Sequence, residues 1–239
     1  MARVSGALVI GGSGGIGSAI SAMMRARGTR VGVTYRSTPV EWEPSWQLDL
    51  TDASACRTVV GAATESLDGL QALVYASGPH VPMRHLSRVA PAELSAQLAA
   101  DAAAFFNIAH AALPALRESR GSIVAVTTAA TVRHPVRDGL SAVPKAAVEA
   151  IARGLAVEEG RYGVRVNCVG PGMLTDGMAA RLMDSGDLDQ RALDAATANI
   201  PLRRFGTATD VAEAVCFLAS DAAGFITGQK LDVDGGYTA

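Results

Sequence analysis

The sequence predicts an α/β fold in which one doubly wound parallel sheet of about seven strands carries helices on both faces, and three observations predict it. Short apolar runs of strand character alternate with longer stretches of helical period along nearly the whole chain. The first of these runs opens into a glycine-rich turn that leads at once into a helical stretch. A chain of 239 residues, 49% of them apolar, is also long enough for one large core, so residues 1–239 are expected to form a single domain. Right-handed crossovers then gather the carboxyl ends of the strands on one edge, where open sheets of this kind bind ligands.

Strand 1 is expected near 7–11, from Ala7-Leu8-Val9-Ile10, and it runs into Gly11-Gly12-Ser13-Gly14-Gly15-Ile16-Gly17 before a helix from Ser18 to Arg27. Strand, glycine turn and helix in that order make a Rossmann-type dinucleotide site. The helix N-terminus offers free N–H groups and a positive dipole end to a pyrophosphate, and residues without a Cβ let the backbone come close. The run fits G-x-x-x-G-x-G as Gly11, Gly15 and Gly17, and G-x-G-x-x-G as Gly12, Gly14 and Gly17; Ser13 and Ile16 complete the candidate cradle. A flexible loop is the alternative.

Strand 2, near 30–35, ends in Thr34-Tyr35-Arg36-Ser37. An acid at this place accepts the ribose 2′-OH of NAD and repels a 2′-phosphate, whereas an arginine fork beside hydroxyls suits the phosphate, so NADP(H) is expected on Arg36 and Ser37. A solvated surface arginine is the competing reading of Arg36. From Ser37 to Pro44 the chain is too short and too rich in proline for a crossover helix, so a loop must bridge to strand 3 near 45–48. Trp42 and Trp46, in and beside that loop, are read as covering the sheet edge that the missing helix would cover, with a substrate or partner surface as the competing reading. Strands 4 to 7 follow near 70–75, 122–127, 164–169 and 229–233.

A net charge of -2 offers no basic footprint for nucleic acid, and no uninterrupted apolar run reaches the roughly 18 residues of a membrane span. Met1 to Gly6 lead directly into a strand without the pattern of an export signal, so the expected address is cytoplasmic. Cys56, Cys168 and Cys216 are odd in number, widely spaced and set among apolar residues, which reads as buried thiols and implies no metal site. Lys145 and Lys230 are the only lysines, against many arginines, which marks Lys145 as a position where lysine matters.

These residues together resemble the short-chain dehydrogenase/reductase family, in its 3-oxoacyl-carrier-protein-reductase-like branch. The resemblance covers nearly the whole chain and is most specific from Ile200-Pro-Leu-Arg-Arg-Phe-Gly to Ile226-Thr-Gly-Gln-Lys-Leu-Asp-Val-Asp-Gly-Gly236. It implies that Asp49 and Leu50, after strand 3, border the adenine. It also implies that Pro171-Gly172 turns beside the nicotinamide and that Thr175 holds the carboxamide. After strand 4 the family has Asn-Asn-Ala-Gly where this chain has Tyr75-Ala76-Ser77-Gly78, so only the glycine is kept and the side-chain bonding of that turn is lost.

The same resemblance implies a catalytic serine, tyrosine, lysine and asparagine, and their positions fall on Thr128, Ser141, Lys145 and Asp101. Thr128 offers the hydroxyl that polarises a carbonyl. Ser141 does not replace a phenol simply, being a far weaker acid and too short by most of a ring. Lys145 still grips the nicotinamide ribose, and Asp101 places a carboxylate beside it, favouring the charged lysine. The proton for a ketone must then come from the substrate, from His80 just past strand 4, or from His134 in the loop before Ser141.

The expected function is an NADPH-dependent ketoreductase acting on a polyketide-like or other cyclic ketone. The alternative is an inactive binding subunit of a mixed oligomer. Dehydration, isomerisation and acyl transfer by a lysine-activated Ser141 have weaker grounds. The resemblance further implies a homo-oligomer, tetramer or dimer, built on small-residue helices near 91–118 and 141–160, and a substrate lid over 173–199.

Overall fold

The computed structural model describes residues 6–79, 81–175 and 190–239. The readings of the N-terminal residues, of His80 and of most of the expected lid therefore lie outside the described residues.

Seven strands form one parallel sheet: β1 (Gly6–Ile10), β2 (Arg30–Tyr35), β3 (Ser45–Gln47), β4 (Ala72–Tyr75), β5 (Ser122–Val126), β6 (Arg165–Pro171) and β7 (Lys230–Val233). Their order across the sheet is β3-β2-β1-β4-β5-β6-β7, so the topology reverses between β1 and β4 and opens a crevice at their carboxyl ends. The helices are α1 (Gly15–Ala26), α2 (Ala53–Ser66), α3 (Pro91–Leu98), α4 (Ala104–Ser119), α5 (Gly139–Glu159), α6 (Gln190–Ala198) and α7 (Ala208–Ala219).

Alternation along each strand builds two cores. Leu8, Ile10, Leu73, Tyr75, Ile123 and Ala125 face α2, α4 and α5, where Phe105, Ile108, Leu116 and Val148 are buried. Ala7, Val9, Val74, Val124 and Val169 face α1 and α7, packing on Ile20, Met24, Val211 and Val215. Sealing both faces leaves the middle of the sheet, β1 and β4 above all, nearly continuous in apolar residues, as parallel strands between helical layers are.

Helix ends follow from local side chains. The Asp52 carboxylate caps α2 by accepting from the Ser54 and Ala55 N–H groups, and Thr207 with Asp210 forms a capping box at α7. Residues 36–44 carry no helix between β2 and β3, as the proline-rich sequence requires. Trp46 packs with the first core across Gly32, and Trp42 packs with the second beneath the Arg25 guanidinium, 4.5 Å from its ring. The two indoles thus cover opposite faces of the same edge.

Two expectations need correction. Helix α1 begins at Gly15, not Ser18, because the glycine turn itself supplies the first helical turn. The stretch near 91–118 is not one regular helix; residues 99–103 form a widened π-type turn that joins α3 to α4. Taken through that turn, the helical stretch 91–119 is long and apolar enough to cross a membrane by length and composition. Its apolar face, Phe105, Ile108, Ala109, Ala112 and Leu116, belongs to the core against the sheet. All three cysteines are free and buried.

Candidate active site

The glycine turn is shaped by close backbone contacts. Gly11 holds φ +86°, and a Cβ there would meet the Ala76 carbonyl at 2.9 Å. A Cβ on Gly17 would lie 2.2 Å from the Gly11 carbonyl oxygen, and one on Gly12 would strike Val33 at 2.6 Å, whereas Gly15 faces open space. Gly14, the residue before α1, provides no side-chain cap, so the first N–H groups of the helix stay free at an exposed surface spanning Ser13 to Gly15, with half-buried Ile16 beside them. This cradle fits the pyrophosphate of a dinucleotide.

Arg36 and Ser37 follow β2 and are exposed. The Arg36 carbonyl accepts from Gln47 Nε2 at 3.0 Å, which ties the end of β2 to β3. Asp49 is also exposed, and Thr51 donates to its Oδ1 through both backbone N–H (2.9 Å) and hydroxyl (2.7 Å). Those bonds, with the Arg36 charge nearby, hold its carboxyl below the usual range. The Leu50 carbonyl accepts from Asn107 Nδ2 at 3.0 Å, fixing the Asp49-Leu50 lip.

The turn after β4 is held from within. Lys145 Nζ donates to the Ser77 carbonyl at 2.9 Å and to Asp101 Oδ1 at 3.0 Å, and it lies 5.2 Å from the Tyr75 ring centre. A Cβ on Gly78 would meet that ammonium at 3.3 Å, so the glycine leaves the lysine its room. The Tyr75 hydroxyl donates to Asp101 Oδ1 at 2.9 Å and approaches the Asp101 carbonyl at 3.1 Å. Burial, with the Asp101 charge, pushes the Tyr75 phenol well above its usual 10.0, so it remains a donor. It is fully buried and does not stand in for the missing phenol at a substrate.

Thr128 lies two residues past β5 and is half-buried; its Oγ1 accepts from the Ala130 N–H at 3.2 Å, leaving the hydroxyl proton to donate. Ser141 and Lys145 lie one turn apart on α5, and among the described residues the Ser141 hydroxyl has no hydrogen-bond partner. His134 is exposed in the preceding loop. Pro171 ends β6, Gly172 donates its N–H to the Val233 carbonyl at 3.0 Å, and the Thr175 N–H donates to the Gly206 carbonyl at 2.9 Å. A Cβ on Gly172 would meet Asp234 at 2.8 Å. Glycine turn, Arg36, Asp49, the 76–78 turn, Thr128 and the 171–175 segment all sit at the carboxyl ends of strands, with Ser141 and Lys145 rising beside them on α5.

Several groups escape sequence reading. Tyr75, Asn107 and Asp138 are three. A fourth is a buried network in which Lys230 Nζ meets Thr131 Oγ1 at 2.7 Å, Asp232 Oδ1 at 2.9 Å and Glu149 Oε1 at 3.3 Å. Thr131 also donates to Glu149 at 2.8 Å, which ties the turn after Thr128 to α5. The scarcity of lysine was a signal for Lys230 as much as for Lys145.

A family model described as enoyl-(acyl carrier protein) reductase matches residues 11–238. A versicolorin reductase of Emericella nidulans is 30% identical over 249 residues, covering 96% of this chain and 94% of that protein. A peroxisomal 2,4-dienoyl-CoA reductase of Saccharomyces cerevisiae is 37% identical over 131 residues, a match that takes in 55% of this chain and 44% of the yeast protein. The solved structure of ElxO with NADP bound has a similar fold, with a TM-score of 0.88 at 24% identity over 98% of each chain.

Proposed function

The chain belongs to the short-chain dehydrogenase/reductase family of oxidoreductases, and from that premise we propose that it is an NADPH-dependent ketoreductase with a nonstandard proton source. The observation that carries this reading is Lys145, whose ammonium is fixed by Ser77 and Asp101 with one N–H still to give. A lysine held in this way grips a nicotinamide ribose without the help of a tyrosine. A bound reduced nicotinamide would supply the hydride, and the protein would orient the ketone through the Thr128 hydroxyl.

NADP(H) is favoured by Arg36 at the end of β2, where an acid would otherwise repel the 2′-phosphate, and ElxO supports the choice as a relative in fold that holds NADP. The cradle Gly11, Ser13, Gly15, Ile16 and Gly17 takes the pyrophosphate, Asp49 and Leu50 border the adenine, and Ala76, Ser77, Gly78, Pro171, Gly172 and Thr175 line the nicotinamide half. The versicolorin reductase supports a polyketide-like or other cyclic ketone as substrate. Oligomerisation through α4 and α5, whose Phe106 and Val157 are exposed, and a cytoplasmic setting belong to the same proposal.

Ser141 in the tyrosine position favours a second reading, an inactive subunit that binds coenzyme in a mixed oligomer. Fluorescence titration with NADPH, followed by absorbance at the reduced-nicotinamide band over phenolic and non-phenolic ketones, separates the two. Turnover of any ketone supports the reductase; binding without turnover on the whole panel supports the subunit.

A further inference from the structure

The reductase reading leaves one atom unassigned, the proton that a reduced carbonyl oxygen must gain. The residues that flank Ser141 on α5 bear on it. Asp138 is the residue immediately before α5, and its carbonyl accepts from the Ser141 N–H at 3.1 Å and the Ala142 N–H at 2.9 Å. Ser141 and Lys145, four residues apart, share one face of α5, and Asp138 stands three residues before Ser141 at the start of that helix.

The turn that presents Asp138 is both strained and clamped. Arg137 holds φ +74°, a left-handed conformation unusual for a residue with a long side chain. The segment 83–86 holds it there. The Arg84 N–H donates to the Arg137 carbonyl at 2.8 Å, and the Arg137 guanidinium donates to the Met83 carbonyl at 3.1 Å. Leu86 fills the space where a Cβ on Gly139 would stand, 2.3 Å from it. Asp138 is left half-buried, yet its carboxyl caps no helix N–H and has no hydrogen-bond partner among the described residues. A carboxyl driven out of water and given no donor is held toward its protonated form.

Resting on the reductase reading, we propose that Asp138 delivers the proton to the substrate oxygen, the task for which Ser141 is too short. The carbonyl carbon gains a hydride from the bound coenzyme, which is oxidised. The carbonyl π pair moves onto oxygen, which takes the proton as the Asp138 O–H bond breaks, directly or across one water, leaving a carboxylate and an alcohol. The carboxylate then recovers a proton from solvent, with the exposed His134 beside it.

Burial pushes the Asp138 carboxyl up to about 6, against the opposing pull of His134. That range suits an acid working near neutrality. The other titratable or charged groups on the segments packed around this turn are Arg137 itself, Arg84, which is paired with Glu93 at 2.8 Å, and His85.

The test compares wild type with Asp138→Asn and Asp138→Glu. NADPH affinity is read by fluorescence, ketone reduction by absorbance across pH, and the carboxyl by its infrared carbonyl band in the protein without coenzyme. The asparagine variant is expected to bind NADPH within about twofold of wild type but to lose about 10²-fold or more in reduction rate. Wild-type kcat/KM should fall as pH rises through about 6, and the variant should not show that step; Asp138→Glu should keep it. Wild type should also show a carboxyl band that titrates near 6 and is missing in Asp138→Asn.

An asparagine variant that reduces ketone at the wild-type rate with the wild-type pH profile overturns this inference and leaves the reductase standing. Absence of the infrared band in wild type overturns it too, even if Asp138→Asn were to fold poorly. A wild type that binds NADPH and reduces no ketone overturns both.

Discussion

The Lys145 ammonium and the Asp101 carboxylate meet at 3.0 Å inside the protein, with only 12% and 4% of their side chains exposed. In such a pair the attraction and the desolvation cost nearly cancel, but removing one partner strands the other charge.

Lys145→Met is accordingly expected to destabilise the fold by about 3–5 kcal/mol, toward the low end because Tyr75 still donates to Asp101. The same variant should lose measurable NADPH binding, since it removes the group assigned to the ribose. Urea unfolding and fluorescence titration read the two effects separately, and unchanged coenzyme affinity would contradict the assignment of Lys145.

Tyr75→Phe removes a hydroxyl that donates to a buried carboxylate at 2.9 Å. A hydrogen bond to a charged acceptor is worth about 1.5–3 kcal/mol, and the ring itself would stay packed edge-on to Phe105. Unfolding by urea should show a loss in that range. NADPH affinity should weaken by less than in Lys145→Met, because Lys145 keeps its bonds to Ser77 and Asp101.

Much of the architecture is legible in the residues alone. The apolar runs at Ala7–Ile10 and Ile123–Val126 are unbroken because both faces of those strands are covered, and the glycine turn can be read because a Cβ at Gly17 has nowhere to go. What is not legible depends on approach between distant segments. Tyr75 looks like a misfit in a known turn until Asp101, 26 residues on, is seen to accept its proton. Asp138 looks like an ordinary acid before a helix; it is half-buried where Leu86 packs on the next residue, Gly139, and where Arg137 turns left-handed, and neither leaves a mark in local sequence. The π-type turn at 99–103 is hidden for a related reason, since its alanines suit an ordinary helix equally well.

Gly17→Ala tests the cradle. The added methyl would lie 2.2 Å from the Gly11 carbonyl oxygen and 2.9 Å from its carbon, both backbone atoms that cannot rotate aside. Overpacking of this kind costs about 1–3 kcal/mol, and the shift it forces should lower NADPH affinity by at least about tenfold. Thermal unfolding and coenzyme titration check the two halves of the prediction.

Arg36→Glu tests coenzyme choice. The side chain is exposed, so its loss should leave thermal stability within about 0.5 kcal/mol of wild type. Exchanging a cation for an anion at a 2′-phosphate removes a charge-assisted bond worth about 1.5–3 kcal/mol and adds repulsion, so NADPH should bind at least about 10-fold to 100-fold more weakly. NADH affinity should hold or rise. Equal weakening for both coenzymes would place the 2′-phosphate elsewhere.

Asp138 also makes a prediction that needs no substrate. Its carboxyl titrates at about 6 in the folded protein against 3.8 ordinarily, because burial disfavours the charge. The folded state therefore holds this proton more tightly than the unfolded chain does. Well below its ordinary 3.8, at about pH 3, the group is neutral in both states and costs nothing; the penalty grows as pH rises toward 6 and is complete above it. Its size follows from the shift as about 1–3 kcal/mol, allowing for the partial contact of the side chain with water. Asp138→Asn carries no such charge, so it should be more stable than wild type by that amount at about pH 8, and the gap should close as pH falls to about 3. Urea unfolding of both proteins across that span measures it. A gap independent of pH would mean that the Asp138 carboxylate is well solvated in the folded state.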